Sequence, residues 1–114
     1  MKNCILSTVA ILCAASSMGV AADVVTSRVS PIERVVAYAE HGGGDVAIWT
    51  TTGINTCPTG VYLSAAAPGF QVMASFVLSA YMAKTPIAFQ VYTDHIWTGS
   101  KYPHCEVQAV RFAR

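Results

Sequence analysis

Apolar and polar positions change their spacing several times along the chain, and each change marks an element. Behind Pro31, residues 32–40 are rich in strand formers with incomplete alternation, which predicts a strand. His41-Gly42-Gly43-Gly44-Asp45 predicts a turn, because three glycines permit positive φ and cannot hold a helix. Residues 46–52 are dense in β-branched and aromatic residues and form the clearest strand, followed by a loop over 53–60 and a short strand over 60–64. The spacing then shifts to 3.6, and Pro68 to Lys84 predicts a helix with Pro68 as its first residue. Phe70, Met73, Ala74, Val77, Ala80 and Tyr81 share one helical face, and Val72, Phe76 and Leu78 widen it. Thr85-Pro86 stops the helix. Residues 87–93 predict a strand, 94–104 a long loop and 105–112 the last strand. Asp23 to Ser30 reads as a short polar lead.

Five strands with one helix between the third and fourth is the element order of the OB-fold, a small Greek-key barrel. The expected class is therefore mainly β with one helix, a five-stranded OB-fold-like barrel of order β-β-β-α-β-β. Another small barrel, or an α+β sheet with the helix on one face, fits the same order.

The first 22 residues have a different logic. Lys2 supplies a positive start, Ile5 to Ala15 an apolar stretch, and Val20-Ala21-Ala22 a small-residue cleavage pattern. Residues 1–22 read as a signal peptide and 23–114 as a single domain, placing the mature chain outside the cytoplasm, secreted or periplasmic. Cys13 does not read as a lipid attachment site, because Leu12 precedes it. The apolar stretch is too short to span a bilayer, so no transmembrane segment is expected.

Charge narrows the partners. Charged residues make up only 11% of the chain, against roughly 25% in soluble domains, and hydrophobic residues 54%. Disorder needs the opposite balance. Beyond residue 22, six bases (Arg28, Arg34, Lys84, Lys101, Arg111, Arg114) meet six acids (Asp23, Glu33, Glu40, Asp45, Asp94, Glu106), with no basic cluster. Nucleic acid is therefore not an expected partner. The helix has no charge before Lys84, and its one polar stripe is Gln71, Ser75 and Ser79. A helix facing solvent would show Lys or Glu there. This face is expected to meet another copy of the chain, so the protein reads as a homo-oligomer.

Cys57 and Cys105 are the two cysteines beyond residue 22 and predict one structural disulfide. The loop it closes spans 48 residues, worth about 4 kcal/mol in the chain-entropy model.

Catalytic chemistry is sparse. The chain has no Gly-x-Ser-x-Gly, no His-Glu-x-x-His and no phosphate-cradling loop, so no enzyme, catalytic residue or cofactor is expected. Asp94, His95 and His104 could meet across the long loop around a metal, but their spacing matches no ligand pattern, and surface histidines are the simpler reading. A Cys105–His104 nucleophile fails because neighbouring strand residues point to opposite faces.

OB-folds bind ligands with the loop between strands four and five, the loop between strands one and two, and the face of strands two and three. Here the first holds Asp94, His95, Trp97, Lys101 and Tyr102, the candidate ligand-binding residues. The second adds His41, and the third Trp49 and Tyr62, which read equally as core or subunit contacts. Trp97, in a loop with Gly, Ser and Pro, is expected to contact a ligand, so that Trp97→Ala would spare the fold.

From Cys57 to Phe112 the chain resembles the B subunits of AB5 toxins of the subtilase-cytotoxin and pertussis-like branch. The matching features are a Cys before a short strand, Ser75-Phe76-x-Leu78-x-Ala80 in the helix, Lys84-Thr85-Pro86-Ile87 after it, an aromatic strand, Trp97 and a late Cys105. Small exported bacterial OB-fold proteins share this layout. The resemblance implies an OB barrel, a pentameric ring with helices lining its centre, a cell-surface glycan as ligand and a catalytic A subunit as partner. The residues before Cys57 depart from those toxins, so no sugar-binding residue is carried over. The expected function is a secreted, non-enzymatic glycan-binding module; the alternative is a periplasmic monomeric or dimeric OB-fold protein binding a protein or small ligand.

Overall fold

A computed structural model describes residues 23–112. The expected signal peptide over residues 1–22 lies outside them. The fold is mainly β, with strands β1 (Val24–Thr26), β2 (Ile32–Ala37), β3 (Val46–Thr50), β4 (Gly60–Leu63), β5 (Ala88–Ile96) and β6 (His104–Arg111), and one helix, α1 (Phe70–Ala83). The strands form one sheet in the order β1-β5-β6-β4-β3-β2. All neighbours are antiparallel except β4 and β6, which run parallel with Val61 opposite Cys105.

The expected five-stranded closed barrel is thus corrected to a six-stranded sheet. The extra strand is β1, in the segment expected to be a polar lead. Val24 and Val25 are β-branched, and they pair with Tyr92 and Val91. The terminal strands β1 and β2 are consecutive in the chain. Between them, Ser27 and Ser30 donate backbone N–H groups to Phe89 and Ile87 on the β5 side. The Pro31 carbonyl accepts Thr51 N–H on the β3 side, at 3.2 Å.

A second correction concerns the long loop. β5 runs on to Ile96, leaving only 97–103 as loop. Tyr92 faces Glu106, yet Ile96 faces Cys105, so Thr93, Asp94 and His95 bulge from the ladder. Such a bulge keeps the strand paired while re-aiming its side chains.

Two cores lie on opposite sides of the sheet. The larger joins Ile48, Val61, Leu63, Phe89, Val91 and Val107 to Val77 and Ala80 of α1. The Cys57–Cys105 disulfide crosses it, with 5.7 Å between Cα atoms. The helix starts at Phe70 behind Gly69, two residues after Pro68, and Lys84 ends it in a left-handed conformation at φ 56°. Only Val77 and Ala80 of α1 are fully buried. Gln71, Ser75 and Ser79 are exposed as expected, but so are Val72, Phe76, Leu78, Met82 and Tyr81. Tyr81 therefore leaves the buried face where helical spacing put it. The Ser75 hydroxyl donates to the Gln71 carbonyl at 3.0 Å, which leaves the stripe with little free polarity.

Candidate functional site

The smaller core lies on the opposite face and organises one end of the molecule. Alternate residues of β3 and β4 point away from the helix. These place Ala47, Trp49 and Tyr62 in a shallow aromatic bed, and Trp97 fills it. Its indole packs on Tyr62 with centroids 5.9 Å apart, on Tyr38 at 5.3 Å, on His41 at 5.2 Å and on His104 at 5.6 Å. Trp97 is 4% exposed. Its side chain is thus an anchor beneath the loop, not an open contact surface as its loop position suggested. Gly99 passes directly over the ring, and a Cβ there would collide with the indole.

A buried carboxylate fixes this arrangement. Asp45 accepts the Trp97 Nε1–H on Oδ2 at 3.0 Å and the Ala65 N–H on Oδ1 at 2.9 Å. One side chain thereby joins the β2–β3 turn, the start of the β4–α1 connection and the β5–β6 loop. The three-glycine turn exists to deliver it. Gly42, Gly43 and Gly44 take φ of 63°, 86° and 111°, and a Cβ on Gly42 would strike the Asp45 carboxylate. On top, His41 Nε2 and Thr98 Oγ1 are 3.2 Å apart, a hydrogen bond between the two loops.

What remains open at this end is a crest of Tyr38, His41, Thr98, Lys101 and Tyr102, all exposed, with Tyr102 at 63%. Lys101 and Tyr102 of the expected site thus sit on the crest. Asp94 and His95 do not. The bulge carries them along β5, where His95 Nδ1 and Glu106 Oε1 lie 3.0 Å apart. Asp94 is 3.8 Å from the other ring nitrogen, and Tyr92 stacks at 4.9 Å. The Tyr62 hydroxyl also reaches Glu106, at 3.5 Å. Burial first, then the carboxylates of Glu106 and Asp45, push the Tyr62 phenol up to about 12. The expected residues therefore fall into two clusters, with Tyr62 in contact with Trp97 on one side and Glu106 on the other.

His104, read from sequence as a surface histidine, is fully buried. It packs edge-on to Trp49 at 4.8 Å, and Arg34 lies over that indole at 3.8 Å. Its Nδ1 is 2.9 Å from the Tyr102 carbonyl, so that nitrogen donates. Among the described residues, no group of three or more His, Cys, Asp or Glu is placed to hold a metal ion. Asp45 and Tyr38 were missed as site residues. The glycine run ending in Asp45 was the one signal in the sequence that marked that position.

A separate groove of about 480 Å³ runs between the start of α1 and β6. Val72, Met73 and Phe76 form its apolar wall, and Tyr92, Glu106 and Gln108 its polar end. Among known proteins, no family model, no curated protein and no solved structure matches this chain.

Proposed function

We propose that the protein is an exported, non-enzymatic glycan-binding module that works as a homo-oligomer. The observation that carries this reading is the crest. Two loops from distant parts of the chain are locked by the Asp45–Trp97 bond, and they present exposed aromatic and hydrogen-bonding groups at one end of the molecule. Tyr38 and Tyr102 offer ring faces to sugar C–H surfaces. Lys101, His41 and Thr98 offer directional polar contacts. A site built before its ligand arrives spends less ordering entropy on binding.

The same reading takes the strand order as OB-like, with residues 24–37 as one bent segment whose two strands, β1 and β2, lie at the two edges of the sheet. The parallel β4–β6 pair and the helix between β4 and β5 support it. OB-folds use the two loops that form this crest. The oligomer is supported by α1, whose 14 residues carry no charge and leave Val72, Leu78 and Met82 open. In the toxin-like form of this reading the oligomer is a pentamer, the ligand a cell-surface glycan and the further partner a catalytic A subunit.

Native mass on the oxidised protein, followed by a glycan array, tests the reading. An oligomer that binds a defined glycan set, with binding lost in Tyr102→Ala, is expected. A monomer that binds no glycan overturns it. The groove between α1 and β6 favours a second reading, a monomeric periplasmic protein holding a small ligand or partner segment there.

A further inference from the structure

One residue holds both ends of the crest loop, the first through its backbone and the second through its imidazole. The His104 carbonyl accepts Trp97 N–H at 2.9 Å, and its Nδ1–H donates to the Tyr102 carbonyl at 2.9 Å. Those two bonds close residues 97–103. The ring is fully buried, and its Nε2 has no hydrogen-bond partner. A neutral imidazole with its proton on Nδ1 tolerates this, because Nε2 then carries only a lone pair. A second proton would create a buried cation with no acceptor.

The neighbours offer no relief. From β2, Arg34 adds positive charge across Trp49. From β3 comes the Trp49 ring itself, and from β4 come Gly60, opposite His104, and the neutral Tyr62 phenol. In the β2–β3 turn, Asp45 is engaged by Trp97 and Ala65, and His41 by Thr98. On β6, Glu106 is bonded to His95. Lys101, in the loop, is a further positive charge. Burial, with a smaller contribution from Arg34, holds the imidazole below its usual 6.5 despite the opposing Tyr102 carbonyl.

We propose that His104 is an acid-sensitive latch: protonation at Nε2 opens the 97–103 loop and dismantles the crest. That the loop carries the ligand rests on the function proposed above; the latch itself does not. Opening exposes the ring, so the open form binds a proton that the closed form refuses. The closed loop therefore has full stability above about pH 6.5 and loses it as pH falls below that value, with the open fraction rising by up to about tenfold per pH unit, the limit for one proton.

Hydrogen exchange at the Trp97 amide tests this without any glycan. The oxidised full chain is followed from about pH 7 to 5, with rates corrected for intrinsic exchange. Protection should stay flat above about pH 6.5 and fall below it, by up to about tenfold per unit, in the wild type and equally in His95→Gln. His104→Asn keeps a donor for the Tyr102 carbonyl and should show flat protection. Should that variant not fold, nuclear magnetic resonance titration of the wild-type His104 ring replaces it, and its protonation must coincide with the loss of Trp97 protection. Flat protection in the wild type overturns the latch. So does a pH dependence that survives in His104→Asn or vanishes in His95→Gln. Failure of glycan binding with the latch intact would instead count against the proposed function alone.

Discussion

Ile48, Leu63, Phe89 and Val107 face the helix, while Trp49, Tyr62 and His104 face the other way from the same strands. The helix side is held by shape and area. Its members are interchangeable in kind, and the Cys57–Cys105 disulfide ties it together. The opposite side is held by direction. Trp97 donates to Asp45, Asp45 also accepts from Ala65, and His104 binds the loop at two points. The first side tolerates a lost methyl group gradually. The second loses a specific bond at each change, and that specificity lets it hold two loops in one geometry.

Truncation should separate the two sides. Phe89→Ala on the helix side should cost about 3–5 kcal/mol in denaturant unfolding. Trp97→Ala should cost about as much, because its indole is buried. This reverses the expectation from sequence that Trp97 could be removed without harm to the fold. A cost below about 1 kcal/mol would remove Trp97 from any core. Cys57→Ser should cost about 2–5 kcal/mol, and thiol alkylation of the unreduced, denatured protein should leave Cys57 and Cys105 unlabelled.

Directional bonds give smaller, local losses. Asp45→Ala leaves the buried Trp97 Nε1–H and the half-buried Ala65 N–H without an acceptor and should cost about 1–3 kcal/mol. Near-ultraviolet circular dichroism from Trp97 should change with it, while the far-ultraviolet signal stays. In alkali, the buried Tyr62 phenol ionises only near 12, whereas the unfolded phenol ionises at about 10. The unfolded state releases its proton first, so stability falls as pH rises from 10 to 12, by something on the order of 2 kcal/mol. Tyr62→Phe should remove that fall.

Legibility in the sequence followed the same division. The helix, the glycine turn and the disulfide announce themselves through spacing, φ requirements and cysteine count, all of them local or global properties. β1 was missed because Val24-Val25 is too short to show a period, and it becomes a strand only through pairing with β5. Residues 94–96 were read as loop, though β5 runs on through them, because strand pairing is not encoded by composition. Trp97 looked exposed because its partner, Asp45, lies 52 residues away. His104 and Cys105 point to opposite faces, yet both are buried, because the sheet is covered on both sides there. Nothing in a two-residue window distinguishes that from a surface strand.

The smallest effect on the isolated fold, and the largest on assembly, is expected from Ser75→Glu. An exposed glutamate on α1 should change the stability of a single copy by no more than about 0.5 kcal/mol. In an oligomer built on that face, converging carboxylates should split the particle or make it dependent on salt and pH. Light scattering on both proteins reads the difference directly.

The proposed ligand site is the locked crest, not the groove or the bulge. A glycan array probed in parallel with wild type, Tyr102→Ala and His95→Ala tests it most directly. A defined set of bound glycans is expected for the wild type, the same set for His95→Ala, and a loss of at least about tenfold for Tyr102→Ala, as befits an anchoring aromatic. Unchanged binding by Tyr102→Ala, or no glycan bound by the wild type, would contradict it.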